Sequence, residues 1–364
     1  MAEHSGKAGE GGASVEVTAE AGLPQKQGLL HNPVFQRFVQ VAGVGIFVWF
    51  LFKFDIRKVM AELRGADLVL VLLGMAMTPF YQGFRAVRWT VFAHPGEGAP
   101  AEPGRFGRHI YSFLKAAFWG VVTPGRVGDF LKCVDLRKEG HSWTASIAAG
   151  VAERFFDSAG VLIVLGLGCA ALPESVVFPF SKLGYPDLQL NRLGPLILLA
   201  PAAIFAGFLL VPRYLLAPEG AETSHHKGLR QMLFQIGVWL RGRTRMDRVR
   251  IVVLTLLAFV PIGAALWLFC RAVNIGISPD QVLVIWAVLG IATIVPAGFL
   301  GTGSREAALI YFLPPSWEIA EPKLIALATL VLVQQIATLV LVGPFIIHER
   351  IAAARTGSPS TKVE

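Results

Sequence analysis

Runs of roughly 20 mostly apolar residues recur along this chain, and about 20 is what a helix needs to cross a hydrocarbon core of about 30 Å. They fall at Phe38–Phe54, Ala66–Phe92, Ile110–Val134, Trp143–Leu172 and Leu193–Leu216, then at Val249–Val273, Val282–Leu313 and Leu324–Ile347. In lipid the backbone must satisfy its own hydrogen bonds, so segments of this length read as helices. Of the 364 residues 54% are hydrophobic and the runs are evenly spread, which excludes a set of soluble domains. The fold class is therefore all-α, a polytopic helical membrane protein.

Two of the runs are interrupted. Ile110–Val134 contains TPGRVGDF, with Pro124, Gly125 and Gly128 inside it, and Val282–Leu313 contains PAGFLGTGS, with Pro296, Gly301 and Gly303. Basic loops stay in the cytoplasm, so the dense cationic stretch Arg241–Arg250 fixes one side of the membrane. Counting from it, Arg105, Arg108, Lys132, Arg137 and Lys138 all want the cytoplasmic face, so the first broken run enters and returns as a re-entrant hairpin. The second broken run, flanked by Asn274–Asp280 and by Pro314–Pro322, does the same from the opposite side. About six spanning helices with two broken hairpins of opposite entry form an inverted repeat, as in secondary transporters. Both termini are expected in the cytoplasm. The loop Lys53–Arg64 carries four basic residues yet falls outside in this scheme.

The expected organisation is a disordered N-terminal tail at 1–32, a single membrane domain at 33–350 and a disordered C-terminal tail at 351–364. The membrane domain divides into halves at about 33–217 and 249–350, joined by the basic cytoplasmic segment 218–248. The N-terminal residues are too polar to offset chain ordering and lack the pattern of a cleaved signal peptide. The first membrane run is expected to act as its own insertion signal. The formal net charge of +8 is then a matter of orientation, and no nucleic-acid partner is expected. Cys133, Cys169 and Cys270 have no disulfide or metal-motif spacing, and the His225-His226 pair stands alone. No metal, cofactor or catalytic residue is expected.

Charge inside the membrane runs needs a reason. A central Arg, Lys or Asp costs about 2.5–3.5 kcal/mol on insertion scales, and Arg126, Asp129, Lys132, Glu153, Arg154, Asp157, Arg305 and Glu306 are all of this kind. They must pair or line a wet cavity. Asp129 and Lys132 are three apart and share a helix face. Glu153 and Asp157, four apart, repel unless a cation lies between them, for which Arg126, Lys132 and Arg154 are candidates. Thr123 can cap a helix restarting at Pro124, and Thr302 or Ser304 can cap the second restart. A helix N-terminus beside Arg126 or Arg305 suits a phosphate or carboxylate. The plainer reading of Glu153, Arg154 and Asp157 is a structural ion cluster. Lys115, Arg85 and Arg88 read as interfacial side chains reaching headgroups. Gln334 and Gln335 serve equally as interhelical glue or as pathway lining. GTGSRE has neither the GK[ST] nor the strand of a nucleotide loop.

TPGRVGDFLKCVDLRKEGHSWTASIAAGVAERFFDSAG and PAGFLGTGSREAALIYFL resemble the two signatures of the lysylphosphatidylglycerol synthase transmembrane-region, or flippase-like, family. GFRAVRWTVF also fits, and the similarity spans about residues 35 to 350. The resemblance implies lipid translocation through a cavity bounded by two re-entrant elements. In multiple peptide resistance factors this region moves aminoacylated phosphatidylglycerol between leaflets, and elsewhere it accompanies glycosyltransferases acting on lipid-linked sugars. Asp129 stands where the family usually has Glu. Glu153, Arg154 and Asp157 match its ERFFD-type stretch, and Arg305 with Glu306 matches the second tip. The 364 residues hold no soluble aminoacyl-transferase domain, so lysine transfer is not expected of them.

The leading expectation is a flippase of the cytoplasmic (inner) membrane for an anionic or aminoacylated phospholipid or a lipid-linked sugar. Its headgroup residues would be Arg126, Asp129, Lys132, Glu153, Arg154, Asp157, Arg305 and Glu306, with Thr123, Pro124, Gly125, Gly128, Pro296, Gly301, Thr302, Gly303 and Ser304 forming the tips. The alternatives are an intramembrane lipid-modifying or glycosyl-transferring enzyme, with Glu153 and Asp157 as acid and base, and an accessory subunit of an envelope-lipid biosynthetic enzyme.

Overall fold

The computed structural model describes residues 56–94, 104–178, 188–210, 236–292, 303–313 and 315–355. The first apolar run, Phe38–Phe54, the N-terminal tail, residues 356–364 and most of the segment 218–248 lie outside the described residues, while 351–355 of the expected C-terminal tail are part of the last helix. The helices are α1 (Ile56–Arg64), α2 (Leu68–Ala76), α3 (Thr78–Ala93), α4 (Arg105–Val122), α5 (Leu131–Lys138) and α6 (Trp143–Ala171). They continue with α7 (Leu190–Leu210), α8 (Arg245–Ala272), α9 (Pro279–Ala292), α10 (Ser304–Phe312) and α11 (Glu321–Arg355). A two-residue antiparallel pair, Val177–Phe178 with Leu188–Gln189, closes the α6–α7 connection.

Among the described residues five stretches are long and apolar enough to span a membrane: Leu68–Ala93, Trp143–Ala171, Leu190–Leu210, Arg245–Ala272 and Glu321–Pro344. The protein is an all-α, multi-pass membrane protein. Local chemistry sets the helix starts. Asp67 accepts from the N–H groups of Val69 and Leu70 at 2.9 and 3.2 Å to open α2. Ser142 opens α6 by accepting from Ala145 at 3.1 Å. Thr244 and Asp247 exchange side-chain-to-backbone bonds of 3.0 and 3.2 Å, a capping box for α8. Residues 56–64 of the loop with four basic residues form α1, whose Val59 is buried while Arg57, Lys58 and Met60 face outward.

The first broken run folds back on itself as a hairpin. Helix α5 returns along α4, because Asp135 takes both the Lys115 ammonium at 2.6 Å and the Ser112 hydroxyl at 2.8 Å, and Glu139 meets His109 at 2.9 Å. The base of α4 and the end of α5 therefore lie together, and the bend between them is a 3-10 turn, Pro124–Phe130. At the bend the missing Cβ of Gly128 leaves room for the Trp119 and Gly120 backbone, and that of Gly120 for the Asp129 carboxyl. In the second broken run α9 and α10 pack together through Ile285, Leu289, Leu309 and Leu313 in one apolar core with α8 and α11. Residues 293–302, which include Pro296, Gly301 and Thr302, lie outside the described residues.

A second core joins α3, α4, α6, α7 and α8 around Trp89, Phe92, Phe113 and Phe156. Phe156 stacks on Phe205 at 5.6 Å and meets Phe208 edge-on at 4.6 Å. Part of the basic segment folds into this core rather than standing in water. Arg243 donates to the Phe92 carbonyl at 3.0 Å, beside the Trp239 indole on the same oxygen, also at 3.0 Å. Arg248 donates to the Phe208 carbonyl at 3.2 Å. Cationic side chains on the orphan carbonyls of a helix end are favoured by its dipole, so these arginines tie the ends of α3 and α7 together.

Candidate functional site

Two polar features occupy the interior, an ion cluster and a cavity. The cluster forms where α3, α5 and α6 meet. Glu153 and Asp157 sit one turn apart on α6, and the cation between them is Arg88 of α3, which reaches Glu153 at 3.4 Å and Asp157 at 2.5 Å. Arg88 also donates to the Thr255 hydroxyl at 2.9 Å, which in turn donates to the Ile251 carbonyl at 2.6 Å. Arg85 holds the other oxygen of Asp157 at 3.0 Å. Lys132 of α5 pairs with Glu153, its ammonium 4.7 Å from the Trp89 ring centroid and 5.2 Å from that of Phe113. Arg154 pairs with Asp129 at the end of the 3-10 turn and lies 3.9 Å from Asp157.

Four cations thus face three carboxylates, and most of them are out of contact with solvent. Arg88 and Glu153 are 0% exposed, Lys132 is 1% and Asp129 3%. The side chains of Asp157 and Arg154, at 22% and 29%, form the partly open edge. Burying such ions costs several kcal/mol each unless geometry and hydrogen bonding are good, as they are in this cluster.

Arg85 and Arg88 are not interfacial: they are buried ion-pair partners, because α3 turns their face onto α6. The cation separating Glu153 from Asp157 is Arg88, which was not among the three candidates. Asp129 reaches across to α6 rather than serving only the face it shares with Lys132. Thr123 precedes a 3-10 turn and not an α-helix. Its hydroxyl donates to Trp119 and accepts from the Gly128 N–H, both at 2.7 Å, so it pins the hairpin tip. The side chains of Pro124 and Arg126 lie outside the described residues.

At the second tip the cap position is Gly303 rather than Ser304, and Thr302 lies outside the described residues. Helix α10 starts at Ser304, Gly303 precedes it with a positive φ of 86°, and Glu306 accepts the Gly303 N–H at 2.6 Å. The buried Glu306 is therefore occupied as a helix cap. Its neighbour Arg305 points elsewhere, donating to Gln335 of α11 at 2.7 Å.

Arg305 and Gln335 belong to the wall of the second feature, a cavity of about 140 Å³. Helix α3 contributes Thr78, Tyr81 and Gln82, α11 contributes Gln334, Gln335 and Thr338, and the last turn of α4 contributes Val121. Leu266, Trp286, Leu289 and Val331 supply apolar wall. Val121 lies just before the first hairpin tip and Arg305 just after the second, so the two broken runs border one hollow. Gln334 and Gln335 are lining, and Gln335 also holds Arg305. The Gln82 amide donates weakly to Thr338 at 3.5 Å. The Gln82 carbonyl, the Thr78 hydroxyl and the Gln334 amide nitrogen have no hydrogen-bond partner among the described residues. Buried polar atoms are almost always satisfied, so three open ones around one cavity ask for a polar occupant.

Among the described residues no group of His, Cys, Asp and Glu could hold a metal ion. The three cysteines are buried and unpaired with one another. A family model for the lysylphosphatidylglycerol synthase TM region matches residues 38–343. No curated protein sequence matches the chain.

Proposed function

The chain belongs to the lysylphosphatidylglycerol synthase transmembrane-region family, and on that premise we propose that it moves a lipid with an anionic headgroup between the leaflets of the cytoplasmic membrane. The observation that carries this reading is Arg305, 2% exposed, on the wall of a polar cavity inside an otherwise apolar helical protein. Arg305 is held there by Gln335, and a guanidinium at a cavity wall suits a phosphate or carboxylate group. The hollow takes the headgroup while the acyl chains stay in lipid. Arg154 and Asp157, the partly exposed members of the cluster, form an edge that a passing headgroup meets. The buried members brace α3, α5 and α6 around it.

Alternation requires two states with different affinity for the headgroup. The hairpin α4–α5 is held as one body, tied at its base by Asp135 and Glu139 and at its tip by Thr123. Purified protein reconstituted with fluorescent lipids tests the proposal. Leaflet exchange well above that of empty liposomes is expected for at least one anionic lipid, with loss of tenfold or more in Arg305→Gln. No exchange above empty liposomes across anionic, zwitterionic and isoprenoid lipids overturns it.

A further inference from the structure

Resting on that reading, we propose that Pro79 and Pro261 form a paired hinge between two packed bodies, whose bending opens and closes the cavity. The bodies are the two apolar cores. One is built on α2, α9, α10 and the first half of α11, the other on α3, α4, α6 and the end of α7. Helix α8 belongs to both, and Pro261 divides its contributions. Ile251 and Val252, before the proline, lie in the core of Trp89 and Phe156. Leu266, Phe269 and Cys270, after it, lie in the core of Leu309 and Leu327. The span Leu68–Ala93 is divided in the same way. Val71, Met75 and Met77 pack against one core and Ala86, Trp89 and Phe92 lie in the other, with the break at Met77–Pro79 between them.

Proline has no N–H, so Pro261 leaves α8 without the bond that would reach back to the Leu257 carbonyl, and helices kink at such positions. Pro79 stands in the first turn of α3, where no such donor is needed. Just before it α2 ends in a tightened turn, with the Met77 N–H on the Gly74 carbonyl at 3.2 Å. The two breaks are neighbours, because the helices run antiparallel and in contact. The missing Cβ of Gly74 leaves room for the Phe269 ring, and Arg88 donates to Thr255 at 2.9 Å. Pro79 is five residues on from Gly74 and Pro261 eight back from Phe269, so the breaks stand about one helical turn apart. The cavity lies at this level, lined by Thr78, Tyr81 and Gln82 beside one break and by Ile262 and Leu266 beside the other. On the facing wall α11 has no proline from Val331 to Thr338. Bending is therefore concentrated on one side of the hollow, and a small rotation of one core against the other widens or narrows it.

Nitroxide labels on Lys138→Cys and Glu321→Cys, one exposed site on each body, read that rotation by pulsed electron spin resonance in liposomes of phosphatidylglycerol and phosphatidylethanolamine. The native cysteines are buried and take no label. A broad or two-peaked distance distribution is expected for the parent. Pro261→Ala and Pro79→Ala, each alone, should narrow it to one peak and slow lipid exchange about fivefold or more. Pro261→Ala should melt at or above the parent temperature, since it restores a backbone bond. Should it fail to fold, Pro79→Ala on the other helix reads the same hinge. A parental distribution in either folded variant overturns the paired hinge, as does narrowing with undiminished exchange. Two distances in the parent that both variants reduce to one, with no leaflet exchange in the parent, would sink the transport reading and leave the hinge standing.

Discussion

The guanidinium carbon of Arg85 lies 5.3 Å from the centroid of the Tyr81 ring, and through this contact the ion cluster touches the cavity. Tyr81 lines the hollow, while Arg85, one turn further along α3, holds Asp157. A cation over an aromatic face is worth about 0.5–2 kcal/mol, enough to bias a two-state element without deciding the fold. Tyr81→Leu is therefore expected to lower lipid exchange by about three- to tenfold at nearly unchanged melting temperature, while Tyr81→Phe keeps most of it. Exchange assays paired with thermal melts in the same detergent check both halves.

Arg88 carries more of the stability. Arg88→Met leaves Glu153 and Asp157 facing each other one turn apart with less compensation, and breaking a buried ion pair costs about 3–5 kcal/mol. A large fall in melting temperature is expected, with partial recovery when Glu153→Gln is added to remove one of the two charges. An Arg88→Met protein that melts like the parent would show the cluster to be energetically idle.

Glu306 and Arg305 are adjacent but serve different ends, and substitution separates them. Glu306→Gln retains an acceptor for the Gly303 N–H, so exchange within about threefold of the parent is expected, whereas Glu306→Ala loses about 0.5–2 kcal/mol of cap. Gly303→Ala places a Cβ at a φ of 86° and is expected to destabilise α10 by about 1 kcal/mol or more. Arg305→Gln should melt close to the parent and fail in exchange. Identical behaviour of Arg305→Gln and Glu306→Gln in exchange would contradict the assignment.

Acid sensitivity is expected outside the membrane spans. Burial, then the nearby Arg243 guanidinium, lowers the pKa of His94 below 6.5, and burial does the same to His141 against the opposing pull of Glu139. Arg105 and His109 add to the repulsion at both, and Asp247 opposes it at His94. With folded values below unfolded ones, the unfolded chain binds more protons as pH falls through 6.5, so these two histidines favour folding above that pH and oppose it below. The melting temperature should drop between neutral pH and pH 5, and the drop should shrink in the His94→Gln, His141→Gln double variant. Burial also brings the Arg243 guanidinium down to about 10. Its contribution lies far above this window.

The spans were legible because hydrophobic length is a property of contiguous residues. So was the first hairpin: basic residues at both ends of one broken run force the chain to return, and Asp135 and Glu139 now make that return visible. The partners of the buried charges were not legible. Arg85 and Arg88 look like any basic pair near a helix end, and their three-residue spacing, which puts both on one face of α3, was the available signal. Glu306 illustrates the converse, since its distance of three from Gly303 is capping-box spacing and pointed to a cap more directly than to a ligand.

Length, apolar runs and the distribution of Lys and Arg along the chain determined a multi-pass helical protein with two interrupted segments. Those terms depend only on transfer from water to lipid, which each residue feels locally. Tertiary packing alone decided that Arg88 separates Glu153 from Asp157, that Arg305 faces a hollow while Glu306 caps its own helix, and that α3 and α11 enclose one cavity. Such outcomes depend on which helix faces meet, and pairing between residues 65 to 256 positions apart is set by the packed helices rather than by either neighbourhood in the chain.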